Sequence, residues 1–522
     1  MRNIFSFLLI FGAVLCLSSA VKGQQPLPVQ QVDSLVELVR ATFDVPGIAV
    51  GIVKDGALIH AKGYGVRDLN HPQLKVDENT LFGIASNSKA FTGAAIGMLV
   101  EEGRLKWDDK VTDFLPDFQL SDPYVTREFT ISDLLTHRSG LGLGAGDLMM
   151  FPDSNTFSRA DIIHRLRYLK PVSSFRTQYD YNNNMYIVAG EVIQKVSGMS
   201  WEEFIEQRFF TPLGMNKSAA SISRVKDRSN MISAHAPVDG KVMPIRMDWS
   251  ETANAAGGIQ SNITDLSKWV MALLNGGQYG DGKRLFSAAT LADLWAPQML
   301  LQFRGSSPYN THFSAYGMGW FLADVKGYKQ VSHTGGLAGV VTQVTLIPEL
   351  QLGIVVLTNQ QSGAAFTAIT NTIKDAYLGV KGQDRVKQMS DRMKKAQSDA
   401  RHTMDDVWAT VKAAKTADNT TVPAASIAGT YSDAWFGEVV VAEENGRLRL
   451  RAMRSPRLRG EMLWYKANTW VVKWDDRSMD ADAFAVFNLN ADGSVEGFKM
   501  SAISPLTDFS FDFQDLDLKR KK

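Results

Sequence analysis

Cysteine is nearly absent from this chain. The 522 residues hold one, Cys16. It lies in a stretch expected to be removed, so the mature chain should have no disulfide, no thiolate metal ligand and no cysteine nucleophile. A core of this size needs no covalent staples. An excess of charge of one sign is also missing: 56 Lys and Arg face 55 Asp and Glu, a net charge of +1. That balance calls for neither nucleic acid nor an anionic membrane. The basic run at 519–522 reads as a solvated tail. Beyond the first residues no stretch is long and apolar enough to span a bilayer. The 8 histidines show no His-Glu-x-x-His pattern, and no glycine loop ends in Lys-Ser or Lys-Thr, so neither a metal nor another cofactor is expected. What remains is an ordinary folded composition, 45% hydrophobic and 21% charged.

The N-terminus reads as a secretory signal over residues 1–23. Arg2 supplies the positive start, residues 4–17 form a short apolar run, and Ser18, Ser19 and Ala20 are small. Cleavage is expected after Gly23 or Ala20, with export to a periplasm or to the outside. The bland alternative is an uncleaved anchor. Leu15 is bulky for the position before a lipoprotein Cys16.

A hairpin is predicted early: residues 47–53 are apolar, Asp55-Gly56 signals a turn, and 57–65 return. A helix follows from near Ser86. Phe91, Ala95, Met98 and Leu99 fall at helical spacing, and Gly103 is a natural stop. Further helices are predicted over 131–135, 185–196, 201–209 and 266–274. Residues 340–347 and 352–357 read as strands around Pro348-Glu349. Strands at both ends with helices between predict an α+β domain over 24–383, its sheet joining distant parts of the chain. Residues 384–423 read as a connector, first charged and helix-prone, then polar. Residues 424–522 read as all β. Asn445-Gly446 and Asp492-Gly493 mark hairpins. Trp464, Trp470 and Trp474 should fill a small core, in a barrel or sandwich.

Three short segments carry chemistry. In Ser86-Asn87-Ser88-Lys89 a serine and a lysine are three apart, on one face at the start of a helix. A serine hydroxyl attacks poorly until a base takes its proton. Burial and the positive helix end would lower the lysine pKa toward that of a useful base. Ser-x-x-Lys also occurs at Ser19–Lys22 and Ser223–Lys226. The first falls in the leader, the second lacks an apolar helix behind it. An N-cap serine beside a surface lysine is the bland alternative. Tyr181-Asn182-Asn183 sits just before a helical pattern. A tyrosine near a lysine can have its phenol pKa lowered and share base duty, and Asn183 could bind a substrate amide. Asparagine runs also simply form turns. His333-Thr334-Gly335-Gly336 follows a strand-like stretch, and its glycines would let a substrate approach the backbone. A glycine-rich turn with a satisfied histidine is the alternative there.

Together, in this order, the three segments resemble the serine β-lactamase and penicillin-recognising family. The branch most similar contains class C β-lactamases, D-amino-acid peptidases and related esterases. Residues 80–85, 134–141, Pro212-Leu213-Gly214-Met215 and Gly257-Gly258-Ile259-Gln260-Ser261 extend the likeness, which covers about 30–380. The resemblance implies a β-lactamase/transpeptidase-like domain acting through an acyl-enzyme. Ser86 would be the nucleophile, and Lys89 and Tyr181 a proton-shuttling pair. Asn183, His333, Thr334 and Gly335 would bind substrate. The backbone N–H groups of Ser86 and Gly336 would form an oxyanion hole. His333 stands where β-lactamases usually carry a lysine. A histidine is only partly charged near neutral pH, which weakens the case for lactam antibiotics.

The tail resembles the lipocalin-like module appended to some peptidases of this family, through Tyr431, residues 464–474 and Asp508-Phe509-Ser510-Phe511. Such a module would cover the active-site mouth or join copies of the chain. The expectation is an exported serine hydrolase of peptides, amides or esters, D-residue peptides among them, with a small-molecule or peptide substrate as partner. A β-lactamase proper and a penicillin-recognising sensor without turnover are the rivals.

Overall fold

The structure is a computed structural model that describes residues 27–247, 249–302, 308–414 and 422–521. The leader at 1–23, Cys16 and part of the connector, 415–421, lie outside the described residues.

The first body is built on an antiparallel sheet of 8 strands. In chain order these are β1 (Gly47–Lys54), β2 (Ala57–Gly65), β3 (Met299–Leu301), β4 (Ser314–Tyr316), β5 (Phe321–Val325), β6 (Tyr328–Leu337), β7 (Val340–Ile347) and β8 (Leu352–Thr358). Their spatial order is β2-β1-β8-β7-β6-β5-β4-β3. The hairpin predicted around Asp55-Gly56 is β1–β2, and its first strand pairs with β8, Val50 opposite Val356. This closes chain ends 300 residues apart into one sheet, as expected.

Alternation along β1 decides the layers. Ile48, Val50 and Ile52 face one side, against helices α1 (Val29–Phe43) and α5 (Gly363–Leu378). Ala49 and Val53 face the other side, where α2 (Ser88–Glu101), α3 (Asn184–Ser197) and α4 (Ile263–Leu274) build the larger core. Each buried Val or Ile contributes roughly 1.5–3 kcal/mol. Gly353 lets α4 press onto the sheet, since a Cβ there would stand 2.2 Å from Val270. α2 is buried from Ser88 through Leu99, apolar nearly all round, as a helix at the centre of a large core must be.

The stretch read as a connector is mostly α6 (Arg385–Ala414). Its start is fixed by Arg385, which pairs with Asp375 at 2.7 Å. Its end packs Val407 and Val411 on Val471 and Ile503 of the second body.

That second body is a closed antiparallel barrel of 8 strands, running from Gly429 to Arg520. Strand pattern alone allowed a barrel or a sandwich, and the small barrel expected from the lipocalin-like resemblance is what forms. Tyr431, Phe487 and Phe498 fill its interior, with ring centroids 4.8–6.1 Å apart. Trp470 and Trp474 are buried as expected. Trp464 is not: it is half-buried, its indole N–H on the Ala467 carbonyl at 2.9 Å, because the strand bulges between Trp464 and Lys466. The barrel docks firmly. Arg454 lies 4.0 Å over the Phe157 ring and pairs with Asp161 at 3.0 Å, and Arg457 meets Asp153 at 2.5 Å.

Candidate active site

Ser86 lies in a 3-10 turn, Ala85–Asn87, just before α2 rather than inside it. Ala85 has φ +50°, a left-handed conformation that costs a non-glycine residue on the order of 1 kcal/mol. The surroundings hold it there. Thr342 on β7 donates to the Ile84 carbonyl at 2.9 Å and accepts from Asn87 at 2.9 Å. Gly335 on β6 lies so close that a Cβ would stand 2.2 Å from the Ile84 carbonyl oxygen. The turn that presents Ser86 is thus wedged against the sheet.

Lys89 is fully buried one turn on. Its Nζ donates to Ser86 Oγ at 3.0 Å, Asn183 Oδ1 at 2.7 Å and the Ala256 carbonyl at 2.8 Å. It also lies 4.8 Å from the Tyr181 ring centroid. Burial lowers its pKa to about 7, against the pull of Asp147 in the other direction. Ser86 and Lys89 are therefore brought together with the lysine close to neutral.

Tyr181 departs from expectation. Burial pushes its pKa well above the usual phenol value, and the Ser86 side chain offsets this only in part. The neighbouring Tyr179 and Tyr186 phenols and Asp147 push it upward as well. Lys89 lies 4.8 Å from the ring centroid, yet the shift is upward, because burial penalises a phenolate. Tyr181 is therefore a neutral phenol. Asn183 caps α3 and has its amide spanned between two groups, its carbonyl on Lys89 and its Nδ2 on Asp147 Oδ2 at 2.8 Å.

His333 is corrected too. It is 1% exposed, and burial lowers its pKa to about 3, with Lys89 adding to the effect. It is neutral, not partly charged. Nδ1 bonds the Thr334 carbonyl at 2.6 Å, so that nitrogen carries the hydrogen; Nε2 then accepts from the Tyr316 hydroxyl at 3.0 Å. Both nitrogens are used within the protein. Beyond it, β6 loses its partner on one side: pairing with β5 ends at Ser332, while pairing with β7 runs on to Leu337. The one-sided edge at 333–336 lines a cavity of about 370 Å³.

The same cavity is lined by Ser86, Tyr181 and Asn183, and by Phe151, Trp249, Phe321 and Phe366. Of the site residues read from sequence, Ser86, Tyr181, Asn183, His333, Thr334, Gly335 and Gly336 line it, and Lys89 lies behind Ser86. Its lining, among the described residues, holds one ionisable carboxyl, Asp508, and no lysine or arginine. Among the described residues no cluster of three or more His, Cys, Asp or Glu side chains is placed to hold a metal ion.

Sequence reasoning missed several participants. Asp147 is buried behind Asn183. His137 sits inside a ring of tyrosines, its centroid 4.2 Å from that of Tyr181, and accepts from the Asn182 N–H at 3.0 Å. Asp508, Phe509 and Ser510 reach the cavity from the barrel. In the sequence, segment 508–511 marks only the likeness of the tail domain. The one available signal for Asp147 was its place directly after the glycine-rich run 142–146.

Comparison with known proteins now adds to the geometry. Residues 32–378 match the family model described as Beta-lactamase, and 413–520 match a domain of unknown function, DUF3471. The chain is 30% identical over 364 residues to unguisins hydrolase ungD of Aspergillus violaceofuscus, covering 66% of this chain and 64% of that protein. It is 26% identical to penicillin-binding protein 4 of Amycolatopsis lactamdurans over 343 residues, 65% of this chain and 87% of the other. The fold is similar to that of the octameric penicillin-binding protein homologue from Pyrococcus abyssi, with TM-score 0.61 and 23% identity over 92% of this chain and 99% of that one.

Proposed function

The chain belongs to the beta-lactamase family, and from that membership we propose that it is a serine hydrolase working through an acyl-enzyme on Ser86. The observation that carries the reading is Lys89 Nζ, buried and near neutrality, 3.0 Å from Ser86 Oγ. Neutral Lys89 accepts the hydroxyl proton as Ser86 Oγ attacks a carbonyl carbon. The N–H groups of Ser86 and Gly336 receive the developing oxyanion. As the tetrahedral intermediate collapses, the Lys89 ammonium returns a proton to the leaving atom through the Tyr181 phenol. Water then hydrolyses the acyl-enzyme by the same groups in reverse. Asn183 keeps one N–H for a substrate carbonyl. Thr334, Gly335 and His333 shape the wall beside it.

The cavity favours an uncharged amide or ester with an apolar side chain. A substrate carboxylate would find no cation among the described residues of its lining, and His333 has no free N–H to offer. This weighs against a β-lactamase proper. The relatives named as unguisins hydrolases support hydrolysis as the outcome. Peptides with D-residues are included on the family resemblance. The relative named a penicillin-binding protein keeps a second reading open, a site that acylates without turnover. We further propose export, on the leader, and assembly of copies through the barrel.

The test is turnover of p-nitrophenyl esters, L- and D-peptide p-nitroanilides and a chromogenic cephalosporin by the parent and by Ser86→Ala. Ester or amide turnover that Ser86→Ala abolishes is expected. Cephalosporin as the best substrate would move the reading to a β-lactamase. A stoichiometric burst without turnover would move it to a sensor.

A further inference from the structure

We propose that Asp147 is a positioning residue for Lys89, and that Ser510 and Asp512 of the barrel hold it in place, making the C-terminal domain part of the proton-transfer apparatus. This rests on the reading of Ser86 and Lys89 as nucleophile and base.

The chain of contacts is continuous. A lysine ammonium only donates, so it can meet only the carbonyl oxygen of Asn183. That fixes the amide, and Nδ2 must point away to an acceptor. Asp147 Oδ2 supplies it at 2.8 Å and also accepts from Ser510 Oγ at 3.0 Å. Asp147 starts a 3-10 turn after Gly146, whose φ is +84°. Asp512 accepts from the N–H groups on either side of it, Gly146 at 2.6 Å and Leu148 at 2.9 Å. The barrel thus grips the side chain of Asp147 and the backbone of its two chain neighbours.

A latch alone does not require these groups. Asp147 and Asp512 are both 0% exposed. Burying two carboxyl groups side by side is unfavourable. Asp147 Oδ1 has no hydrogen-bond partner among the described residues. The arrangement is explained if Asp147 exchanges its charge with Lys89 across Asn183. Burial raises its pKa to about 7, and Lys89 opposes the rise. The charged and titratable groups facing this pair are Asp508 and Asp512 on the side of Asp147, and His137, His333, Tyr181 and Tyr186 around Lys89. The pair therefore titrates as a unit.

The test is the pH dependence of Ser86 phosphonylation by a fluorophosphonate, on the full chain. Asp147→Asn keeps an acceptor for Asn183 and removes the charge. With less to stabilise its ammonium, Lys89 stays a free base to lower pH, so the acid limb should move down by roughly one pH unit. Ser510→Ala makes the Asp147 carboxylate harder to form, so its limb should move the same way by less. Asp147→Ala also frees the Asn183 amide, and its plateau rate should fall about ten-fold. A purely structural Asp147 would change thermal stability and leave the limb in place. If Asp147→Asn fails to fold, Ser510→Ala carries the test alone. Labelling of the parent with unshifted limbs in the folded variants overturns the proposal only. No labelling of the parent at Ser86 overturns the underlying reading as well.

Discussion

The ring of Phe509, carried by the barrel, stands edge-on to Tyr181 with centroids 5.8 Å apart. The first body is shaped to receive it. At Gly144, φ is +70° and a Cβ would lie 2.6 Å from the Phe509 carbonyl oxygen. The barrel thus supplies a wall of the cavity. Phe509→Ala should raise kcat/KM for bulky acyl groups over small ones by about ten-fold, the gain expected when 1–2 kcal/mol of steric exclusion is removed. An unchanged ratio across an ester series would show that Phe509 does not set size preference.

The state of Lys89 sets the pH profile. Burial depresses its pKa to about 7, so the base form is present above that pH and lost below it. The kcat/KM should climb with pH and level off above about 7. Lys89→Met should lower the plateau by about 10²- to 10⁴-fold. A flat profile from pH 5 to 9 would contradict this assignment.

Adjacent glycines should behave in opposite ways. Gly335→Ala drives a Cβ to 2.2 Å from the Ile84 carbonyl and 2.9 Å from Ala85 Cβ. It should cost about 1–3 kcal/mol of stability and displace Ser86, with loss of most activity. At Gly336 an added Cβ meets nothing within 4 Å. Gly336→Ala should melt like the parent and change only substrate binding. Thermal melts paired with ester turnover separate the two.

Much of this site was legible because its parts are local. Ser86 and Lys89 meet through helical spacing, and the one-sided edge at 333–336 follows from where β6 outruns β5. The hairpin at Asp55-Gly56 followed from an apolar run and a turn signal, and the closure of the sheet from strands at both ends of the domain with helices between. What escaped is long-range. Asp147 gains its meaning from Asn183, 36 residues on, and Ser510, 363 residues on. Pattern in one segment cannot reveal such partners. The titration states of Tyr181 and His333 escaped for a related reason. Each depends on total burial, and no residue type announces that.

His333 should leave a mark on acid stability. Its folded pKa is about 3, far below the ordinary 6.5. Below 6.5 the unfolded chain takes up a proton that the folded chain refuses, so stability falls as pH drops from 6.5 toward 3. The slope is about 1.4 kcal/mol per pH unit. Asp147 and Asp512, whose pKa values are raised, act in the opposite sense. The comparison is therefore parent against His333→Gln in urea at pH 7, 6 and 5. The gap between them should shift in favour of the variant as pH falls; a constant gap would contradict the assignment.

The central claim is that Ser86 is an activated nucleophile. Intact-mass spectrometry after a fluorophosphonate probe tests it most directly, with the adduct located by peptide mapping. The account predicts a single adduct on Ser86 of the parent and none on a folded Ser86→Ala. No adduct on the parent, or an equal adduct on both, would contradict it.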